Sequence, residues 1–397
     1  MSKVKIIIVT QTYPPRTGGM QSVMQALANK LSEYYQVIVF PDHLVPKKEK
    51  SKNPNLEIKI FPLPKLLRNF YKKIYISKIL SKDTVLICDS WKSVFAIPTN
   101  INNKIIVLAH GQEYLDSRKI DKINLALSRS SILISNSRFT KNLAKNVLNG
   151  PKLKHIVIPP IYFMDKSPAR FKKNKNIIPN LLTLTRIDIR KGIAQTMEAL
   201  SILKKQKKIK EFIWHIAGSG PELDNLKKLS HLLDLKKEIK FNGWVTDFEK
   251  NKLFKKSDIF VMPSYKNKRS IEGFGIVYVE AAKYGIPSIC GKDSGASDFV
   301  KNNVSGWVVD PLDLNALKKV LVDAINFPKK LREKGKVSKN KYINNFNGDI
   351  AFKLFWIRPR GNFGGIPCAG AEEIVCCISC QHHRRLVKPR KFLNIQK

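Results

Sequence analysis

Two carboxylates, Glu272 and Glu280, stand eight residues apart in a segment that could bind a ligand. Glu272 lies in a loop where Gly273 and Gly275 let the backbone approach a ligand, because glycine has no Cβ in the way. Glu280 lies on a helix that the apolar spacing predicts over about residues 275–284. The N-terminus of this helix would offer free N–H groups and the positive end of its dipole to a phosphate.

The two carboxylates would reach different parts of such a ligand. Glu280, a turn or more inside the helix, can accept hydrogen bonds from a ribose diol. Glu272, just before the helix, can reach the hydroxyls of a sugar. Together they predict a site for a sugar nucleotide. The alternative is a pair of solvated glutamates beside an ordinary strand-loop-helix unit, because short motifs also match by chance.

A pair of cations lies about eighty residues upstream, where a buried strand runs into a loop over residues 181–192. Arg186 can bind phosphate oxygens with its planar fork, and Lys191 can act as a point charge. Together they could neutralise a leaving diphosphate. The alternative is a solvated basic loop in a lysine-rich protein.

Short apolar runs must form the strands that position these side chains. Stretches of helical length separate the runs, which indicates alternating β and α elements with parallel sheets. A length of 397 residues and a hydrophobic content of 43% suffice for two domains with real cores. The predicted strands are residues 5–9, 84–88, 105–109, 131–135, 212–217, 259–262 and 306–309.

The order of the motifs along the chain resembles that of the family 4 glycosyltransferases. The landmarks are residues 10–19 (TQTYPPRTGG), 109–113 (AHGQE), 134–141 (ISNSRFTK), 157–160 (VIPP), 185–192 (TRIDIRKG), 217–222 (AGSGPE), 241–245 (FNGWV), 262–287, 294–298 (SGASD) and 303–311. The resemblance covers about residues 3–355. It implies an α/β fold of the GT-B architecture, in which two facing Rossmann-like domains hold the donor site in the cleft between them.

This resemblance also implies a division of the chain. Residues 1–163 would form an N-terminal acceptor-side domain, 164–176 a linker and 177–335 the nucleotide-sugar-binding domain. Residues 336–356 would form a closing helical region, which in this family usually crosses back to brace the first domain. Residues 357–397 would be an anomalous tail.

The family's site residues transfer to matching positions of this chain. The resemblance implies a contact of His110 with the reacting centre, and of Glu272 with the sugar. The donor-binding positions are Gly18, Gly19, Arg186, Lys191, Val245, Phe274, Gly275 and Glu280. Retention of anomeric configuration without a protein nucleophile is also implied. Because no Asp-x-Asp motif occurs in the sequence, no metal or other cofactor is expected, and the cation pair would replace a metal ion on the diphosphate.

Two features depart from the family pattern. Ala296 and Asp298 stand where many members have Gly and Glu, so the contact of the shorter Asp298 with the donor would be weakened or indirect. A basic insert over residues 266–271 lies between Ser264 and Glu272. It is either a specificity feature or a plain surface loop.

The charge is extreme, since 72 Lys and Arg against 31 Asp and Glu give +41. Such a field attracts polyanions, including anionic lipids and nucleic acids. In the segment 64–82, an apolar face would oppose a basic one, as in a helix lying on an anionic membrane. The alternative is a helix that packs its apolar face on the first sheet. The predicted apolar face is Leu66, Leu67, Phe70, Tyr71, Ile74 and Ile79, and the basic face Lys65, Arg68, Lys72 and Lys82.

The tail differs in composition from the rest of the chain. No lysine occurs over residues 357–387, where Cys368, Cys376, Cys377 and Cys380 precede His382 and His383. The prediction is a tail of foreign origin, and a zinc site is the alternative. Cys88 and Cys290, in strand-like contexts, are expected to be buried free thiols.

The function predicted from these features is transfer of a sugar from a nucleotide-sugar donor to a glycan or lipid-linked acceptor, in cell-surface polysaccharide or lipopolysaccharide synthesis. The alternatives are a catalytically impaired relative and a basic polyanion binder without a recognisable nucleic-acid motif. No run approaches the roughly 18 apolar residues of a spanning helix, and no signal peptide is apparent. A cytoplasmic location is therefore expected, with peripheral contact to the inner face of the membrane as an option.

Overall fold

The computed structural model describes residues 4–43, 53–148, 153–163 and 178–356. The predicted linker and the tail, with its cysteines and histidines, lie outside these described residues. The described chain contains two parallel sheets with helices on both faces.

The first sheet has seven strands in the order β3-β2-β1-β4-β5-β6-β7. Its strands are β1 (Lys5–Thr10), β2 (Gln36–Pro41), β3 (Leu56–Ile58), β4 (Val85–Cys88), β5 (Lys104–Ala109), β6 (Ile132–Ser135) and β7 (Lys154–Val157). Its helices are α1 (Gly19–Ser32), α2 (Lys65–Ile79), α3 (Trp91–Val94), α4 (Ile120–Ser128) and α5 (Arg138–Lys145). The central strands are buried on both faces and therefore read as continuous apolar runs.

The second sheet has six strands in the order β10-β9-β8-β11-β12-β13. Its strands are β8 (Asn180–Leu184), β9 (Ile213–Ala217), β10 (Ile239–Gly243), β11 (Ile259–Met262), β12 (Ser288–Gly291) and β13 (Gly306–Val309). Its helices are α6 (Ile193–Lys205), α7 (Leu223–Leu232), α8 (Asp247–Lys256), α9 (Ile276–Lys283), α10 (Leu314–Asn326) and α11 (Pro328–Lys341). In both sheets the strand order reverses beside the first strand, where α/β proteins bind ligands at the carboxyl ends of the strands.

The closing helical region crosses from the second domain to the first. After a π-helical turn over Tyr342–Phe346, helix α12 (Gly348–Trp356) begins. Its Ala351, Phe352 and Phe355 are buried in the hydrophobic cluster of the first sheet. The last described helix therefore braces the first domain.

Helix α2 shows a different inner face from the one predicted. Leu67, Phe70, Tyr71 and Ile74 are between 40 and 59% exposed, so these four residues of the predicted apolar face do not pack on the sheet, whereas Ile79 does. Lys72, placed on the outer basic face by the sequence, is fully buried.

The reason for this correction is Asp42 at the end of β2. The ammonium of Lys72 pairs with the Asp42 carboxylate, and Arg68 donates to the backbone carbonyls of Asp42 and Leu63. Burial lowers the pKa of Lys72 against the opposing effect of Asp42. Ile76 and Ile79 fill the rest of the packed face. The side chains of Lys65 and Leu66 lie outside the described part of the chain.

Cys88 and Cys290 are buried free thiols, as predicted. Within the described ranges, no helix is long and apolar enough to cross a bilayer.

Candidate functional site

A cavity of about 1340 Å³ lies between the two domains, at the carboxyl ends of their strands. Every residue assigned to the site from the sequence lines it. These residues are Gly18, Gly19, His110, Arg186, Lys191, Val245, Glu272, Phe274, Gly275 and Glu280. Their individual roles remain predictions.

Two helix N-termini meet across this cavity. Helix α1 begins at Gly19 and helix α9 at Ile276. A Cβ on Gly19 would lie 3.3 Å from the Ile276 side chain, so the two helix starts are in close contact. Gly275, which precedes α9, has a φ of 79° that favours glycine. Two positive dipole ends therefore favour an anion in the same space.

Glu272 is held by two cations of the second domain. Its carboxylate lies 2.6 Å from Lys191 Nζ and 3.2 Å from the Arg190 guanidinium. Burial raises the pKa of Glu272, but Lys191 and Arg190 outweigh burial and lower it overall. Glu272 is therefore an ionised acceptor, and Lys191 would share its charge between this carboxylate and a bound phosphate.

Glu280 has partners from both sides of the cleft. Its Oε1 accepts from Tyr162 Oη at 3.0 Å and from Lys250 Nζ at 3.0 Å. Burial and Glu280 raise the pKa of Tyr162. Burial opposes the charge of Lys250, but Glu280 and Tyr162 raise its pKa overall. Both groups therefore keep their protons and donate to Glu280.

His110 is fixed by its own domain. Its Nε2 lies 2.8 Å from the carbonyl oxygen of Asp89, and its backbone N–H donates to Glu113 Oε1 at 2.7 Å. Because a carbonyl accepts only, Nε2 carries a proton and donates it. In the neutral ring, Nδ1 is then left as an acceptor.

The remaining predicted residues differ in what they offer to a ligand. Arg186 is exposed on the cavity wall and has no ion-pair partner among the described residues. Phe274 is buried, and its ring stacks on that of Phe346 with the centroids 6.2 Å apart. Val245 is partly buried beside the exposed Trp244. Of the predicted cation pair, Lys191 is therefore ion-paired with Glu272, whereas Arg186 has no ion pair among the described residues.

Asp298 makes an interdomain contact. Its carboxylate accepts from the backbone N–H of Arg138, the first residue of α5. Burial raises its pKa, against the effect of Arg138. Asp298 is not among the residues that line the cavity.

The basic insert is also an interdomain contact. Asn267 and Ser270 pair through both backbone hydrogen bonds to close a tight hairpin. Arg269 lies 3.6 Å from Asp116 of the first domain, and Gln112 donates to the carbonyl of Ile271 at 3.0 Å. The insert therefore joins the two domains at the cavity edge. The interpretation of the insert as a plain surface loop does not account for these contacts.

Four contributors to the site were not predicted. Arg190 could have been found, since it directly precedes Lys191 in the predicted phosphate-binding motif. Asp89, Tyr162 and Lys250 carry no local signal, because the site residues that they contact are distant in the sequence. Among the residues that the structure describes, no three His, Cys, Asp or Glu side chains form a group that could hold a metal ion.

Two parallel-sheet Rossmann-like domains that face each other across one cavity define the GT-B architecture, which belongs to a large class of glycosyltransferases. The family model described as Glycosyl transferases group 1 matches residues 165–341. This part of the chain is similar to a group 1 glycosyltransferase domain, and the enzyme class is that of the glycosyltransferases.

The relatives span different donors and acceptors. A GDP-mannose-dependent alpha-(1-6)-phosphatidylinositol monomannoside mannosyltransferase of Mycolicibacterium smegmatis is 23% identical over 368 residues, or 86% of this chain and 94% of the relative. A UDP-Gal:alpha-D-GlcNAc-diphosphoundecaprenol alpha-1,3-galactosyltransferase of Escherichia coli is 29% identical over 151 residues, or 38% of this chain and 37% of the relative. The solved sucrose-phosphate synthase of Thermosynechococcus elongatus has a TM-score of 0.73 at 19% identity, covering 89% of this chain and 97% of that structure.

Proposed function

We propose that this enzyme transfers a sugar from a nucleotide-sugar donor to a glycan or lipid-linked acceptor in cell-surface polysaccharide or lipopolysaccharide synthesis. The observation that carries the proposal is the cavity itself. It brings two helix N-termini, Arg186 and two carboxylates together at the switch points of both sheets. This set matches the diphosphate, ribose and sugar of such a donor.

The proposed chemistry rests on neutralising the leaving group. Cleavage of the bond between the anomeric carbon and the diphosphate builds negative charge on the diphosphate. Arg186, Lys191 and the two helix N-termini would stabilise that charge in the transition state. In this proposal they take the place of a metal ion.

The sugar would be held between the two domains. Glu272, kept ionised by Lys191 and Arg190, would accept hydrogen bonds from sugar hydroxyls. His110 would contact the reacting centre from the opposite domain. The acceptor hydroxyl would attack on the face from which the diphosphate leaves, so the anomeric configuration would be retained.

The donor can be found by thermal shift with UDP-, GDP- and ADP-sugars. One nucleotide class should raise the Tm of the wild type and fail to raise that of Glu280→Ala. Glu211→Ala, an exposed carboxylate outside the cavity, is the matched control and should keep the shift. If none of the nucleotide sugars raises the Tm of a folded wild-type protein, the proposal is wrong. A shift without any turnover would instead identify an impaired relative.

We also propose that the enzyme is cytoplasmic and works on the inner face of the cytoplasmic membrane. Leu67, Phe70, Tyr71 and Ile74 follow the i, i+3, i+4, i+7 spacing of one helix face and are all exposed. Lys78 and Lys82 are exposed nearby, and the net charge is +41. An exposed apolar stripe beside cations suits the interface of an anionic bilayer.

Vesicle flotation tests this location. The wild type should float with vesicles that contain phosphatidylglycerol and remain free of pure phosphatidylcholine vesicles. The double variant Phe70→Ser with Ile74→Ser should lose flotation. Leu125→Ser on α4, where the leucine is 59% exposed, should keep it. Equal flotation of the double variant and the wild type would exclude this face as the contact.

A further inference from the structure

A buried carboxylate lies beneath the first-domain wall of the cavity. Asp89 directly follows β4, and its side chain is fully buried. Within the described residues, no cation lies at ion-pair distance from it. Burying a carboxylate without a paired cation is costly unless hydrogen bonds compensate. The hydrogen bonds of Asp89 therefore show what this carboxylate does.

One carboxylate oxygen holds the start of the loop between β1 and α1. Asp89 Oδ2 lies 2.8 Å from Thr10 Oγ1 and accepts from the backbone N–H of Gln11 at 2.8 Å. The hydroxyl of Thr12 lies 3.4 Å from the same oxygen. This loop continues to Gly18, the residue that precedes helix α1 at the cavity.

The other polar atoms of Asp89 point to different neighbours. Oδ1 accepts from Ser93 Oγ at 2.6 Å, which fixes the carboxylate on the side of helix α3. The backbone carbonyl accepts from His110 Nε2 at 2.8 Å. One residue therefore contacts both the glycine loop and the histidine.

The sheet topology makes this possible. Strand β4 lies between β1 and β5, and all three are parallel. Their carboxyl ends therefore meet at one edge, where β1 leads into the loop and β5 leads into His110. A residue at the end of the middle strand is within reach of both.

We propose that Asp89 is the positioning residue of the first-domain half of the site. Its carboxylate sets the path of the loop to Gly18 and Gly19, while its carbonyl orients the His110 ring. The proposal rests on the proposed function, because the loop and His110 act there on the donor. The hydrogen bonds of Asp89 are internal to the first domain, whereas most of the proposed nucleotide contacts lie in the second.

This division predicts a separation of turnover from nucleotide binding. Asp89→Asn keeps the shape but turns an NH2 donor to one side and leaves a neutral amide oxygen, a weaker acceptor than a carboxylate, on the other. The hydrogen bonds from the loop are therefore weakened or lost in either orientation. We expect kcat for release of the nucleoside diphosphate from the donor to fall about 10- to 100-fold. The Kd for the same nucleoside diphosphate, measured by calorimetry, should stay within about threefold, since only the α1 N-terminus among its proposed contacts lies in the first domain.

Two further variants separate positioning from stability. Thr10→Val removes a hydroxyl from the loop side of the carboxylate and should lower kcat, as Asp89→Asn does. Ser93→Ala removes the hydrogen bond on the other side, and should lower the Tm while kcat stays within about threefold. If Asp89→Asn does not fold, the proposal is tested by comparing the kcat and Tm values of Thr10→Val and Ser93→Ala.

The outcomes also distinguish this proposal from the function on which it rests. A wild type that binds nucleotide and turns over, with an equally active folded Asp89→Asn, would overturn the role of Asp89 alone. A parallel loss of kcat, nucleotide affinity and Tm would show a purely structural role. A wild type that binds no nucleotide would overturn both proposals.

Discussion

The backbone of Gly273 lies directly against the carbonyl of His110, across the boundary between the domains. A Cβ on Gly273 would fall 1.7 Å from the His110 oxygen. The Gly273 carbonyl in turn accepts from Ser137 Oγ of the first domain at 2.6 Å. The loop that carries Glu272 is thus held beside His110 by contacts that leave no space for a side chain.

Replacing Gly273 by alanine should impair turnover more than stability. The methyl group would keep the domains from approaching as closely, and a displacement of about 1 Å at a reacting centre can cost about 100-fold in rate. Because of this displacement we expect kcat to fall about 10- to 100-fold, whereas the affinity for the nucleotide should be retained. Steady-state kinetics and calorimetry measure the two effects.

The matched control is Gly335→Ala. Its Cβ would lie 2.1 Å from the carbonyl oxygen of Gly285, a backbone clash within the second domain. This variant should have a lower Tm than the wild type, but the kcat of its folded molecules should be unchanged. If Gly273→Ala turns over at the wild-type rate, the close approach seen here is not needed for catalysis.

Tyr162→Phe should weaken donor binding through Glu280. The change removes one of the two donors to Glu280 Oε1, so the carboxylate is less firmly oriented toward the ribose. Loss of one such hydrogen bond is worth about 1 kcal/mol, or about a fivefold rise in the Kd of the nucleotide. Tyr284→Phe, which loses a hydrogen bond to Asn251 outside the cavity, should leave the Kd unchanged. Equal affinities of wild type and Tyr162→Phe would remove Tyr162 from the site.

Phe352→Ala should destabilise the first domain, although the residue belongs to the last described helix. Phe352 is buried in the cluster of the first sheet and stacks on Tyr34 at 6.2 Å. Removing a buried aromatic side chain typically costs about 3 to 5 kcal/mol in the free energy of unfolding. Urea unfolding measures this, and the exposed Leu354→Ala should change it by less than about 0.5 kcal/mol. A small effect of Phe352→Ala would show that α12 does not brace the domain.

His155 should make the first domain less stable in mild acid. Burial, followed by Lys141 and Lys145, lowers its pKa to about 4. An unfolded histidine has a pKa of about 6.5, so between these values the unfolded chain binds a proton that the folded chain does not. The free energy of unfolding therefore falls as the pH drops from about 6.5 toward about 4. The full pKa difference corresponds to about 3 kcal/mol, which solvent screening of the partly exposed ring reduces to on the order of 2 kcal/mol.

His155→Gln should remove this contribution. As the pH is lowered from 7 to 4.5, the Tm of the variant should fall less than the Tm of the wild type. The exposed His231→Gln is the control and should follow the wild type at every pH. Identical pH profiles for His155→Gln and wild type would exclude His155 as the titrating group.

Much of the architecture follows from local sequence. The strands predicted at 259–262 and 306–309 agree with β11 and β13, because a strand buried on both faces must be a continuous apolar run. Strands β2, β3, β7, β10 and β12 were not among the predicted strands. Strand β3 has three residues, and β10 alternates in burial, so neither forms such a run. Strands β2 and β12 do form buried runs and were missed.

The predicted site residues could be read from sequence because they occupy strand ends and helix starts. In a parallel sheet these positions meet at one edge, so motif order alone brings them to one cavity. Their partners could not be read in this way. Lys250 and Tyr162 reach Glu280 from positions 30 and 118 residues away, and no local pattern encodes such a contact.

Helix α2 shows the same division within one element. The sequence by itself determined that the segment is helical and amphipathic, because periodicity and composition are local properties. Only the tertiary structure decided which side faces the sheet, since the buried charge of Lys72 requires the Asp42 carboxylate at the end of a neighbouring strand. A buried lysine needs a carboxylate in position to pair with it, and the position of that carboxylate is a property of the fold.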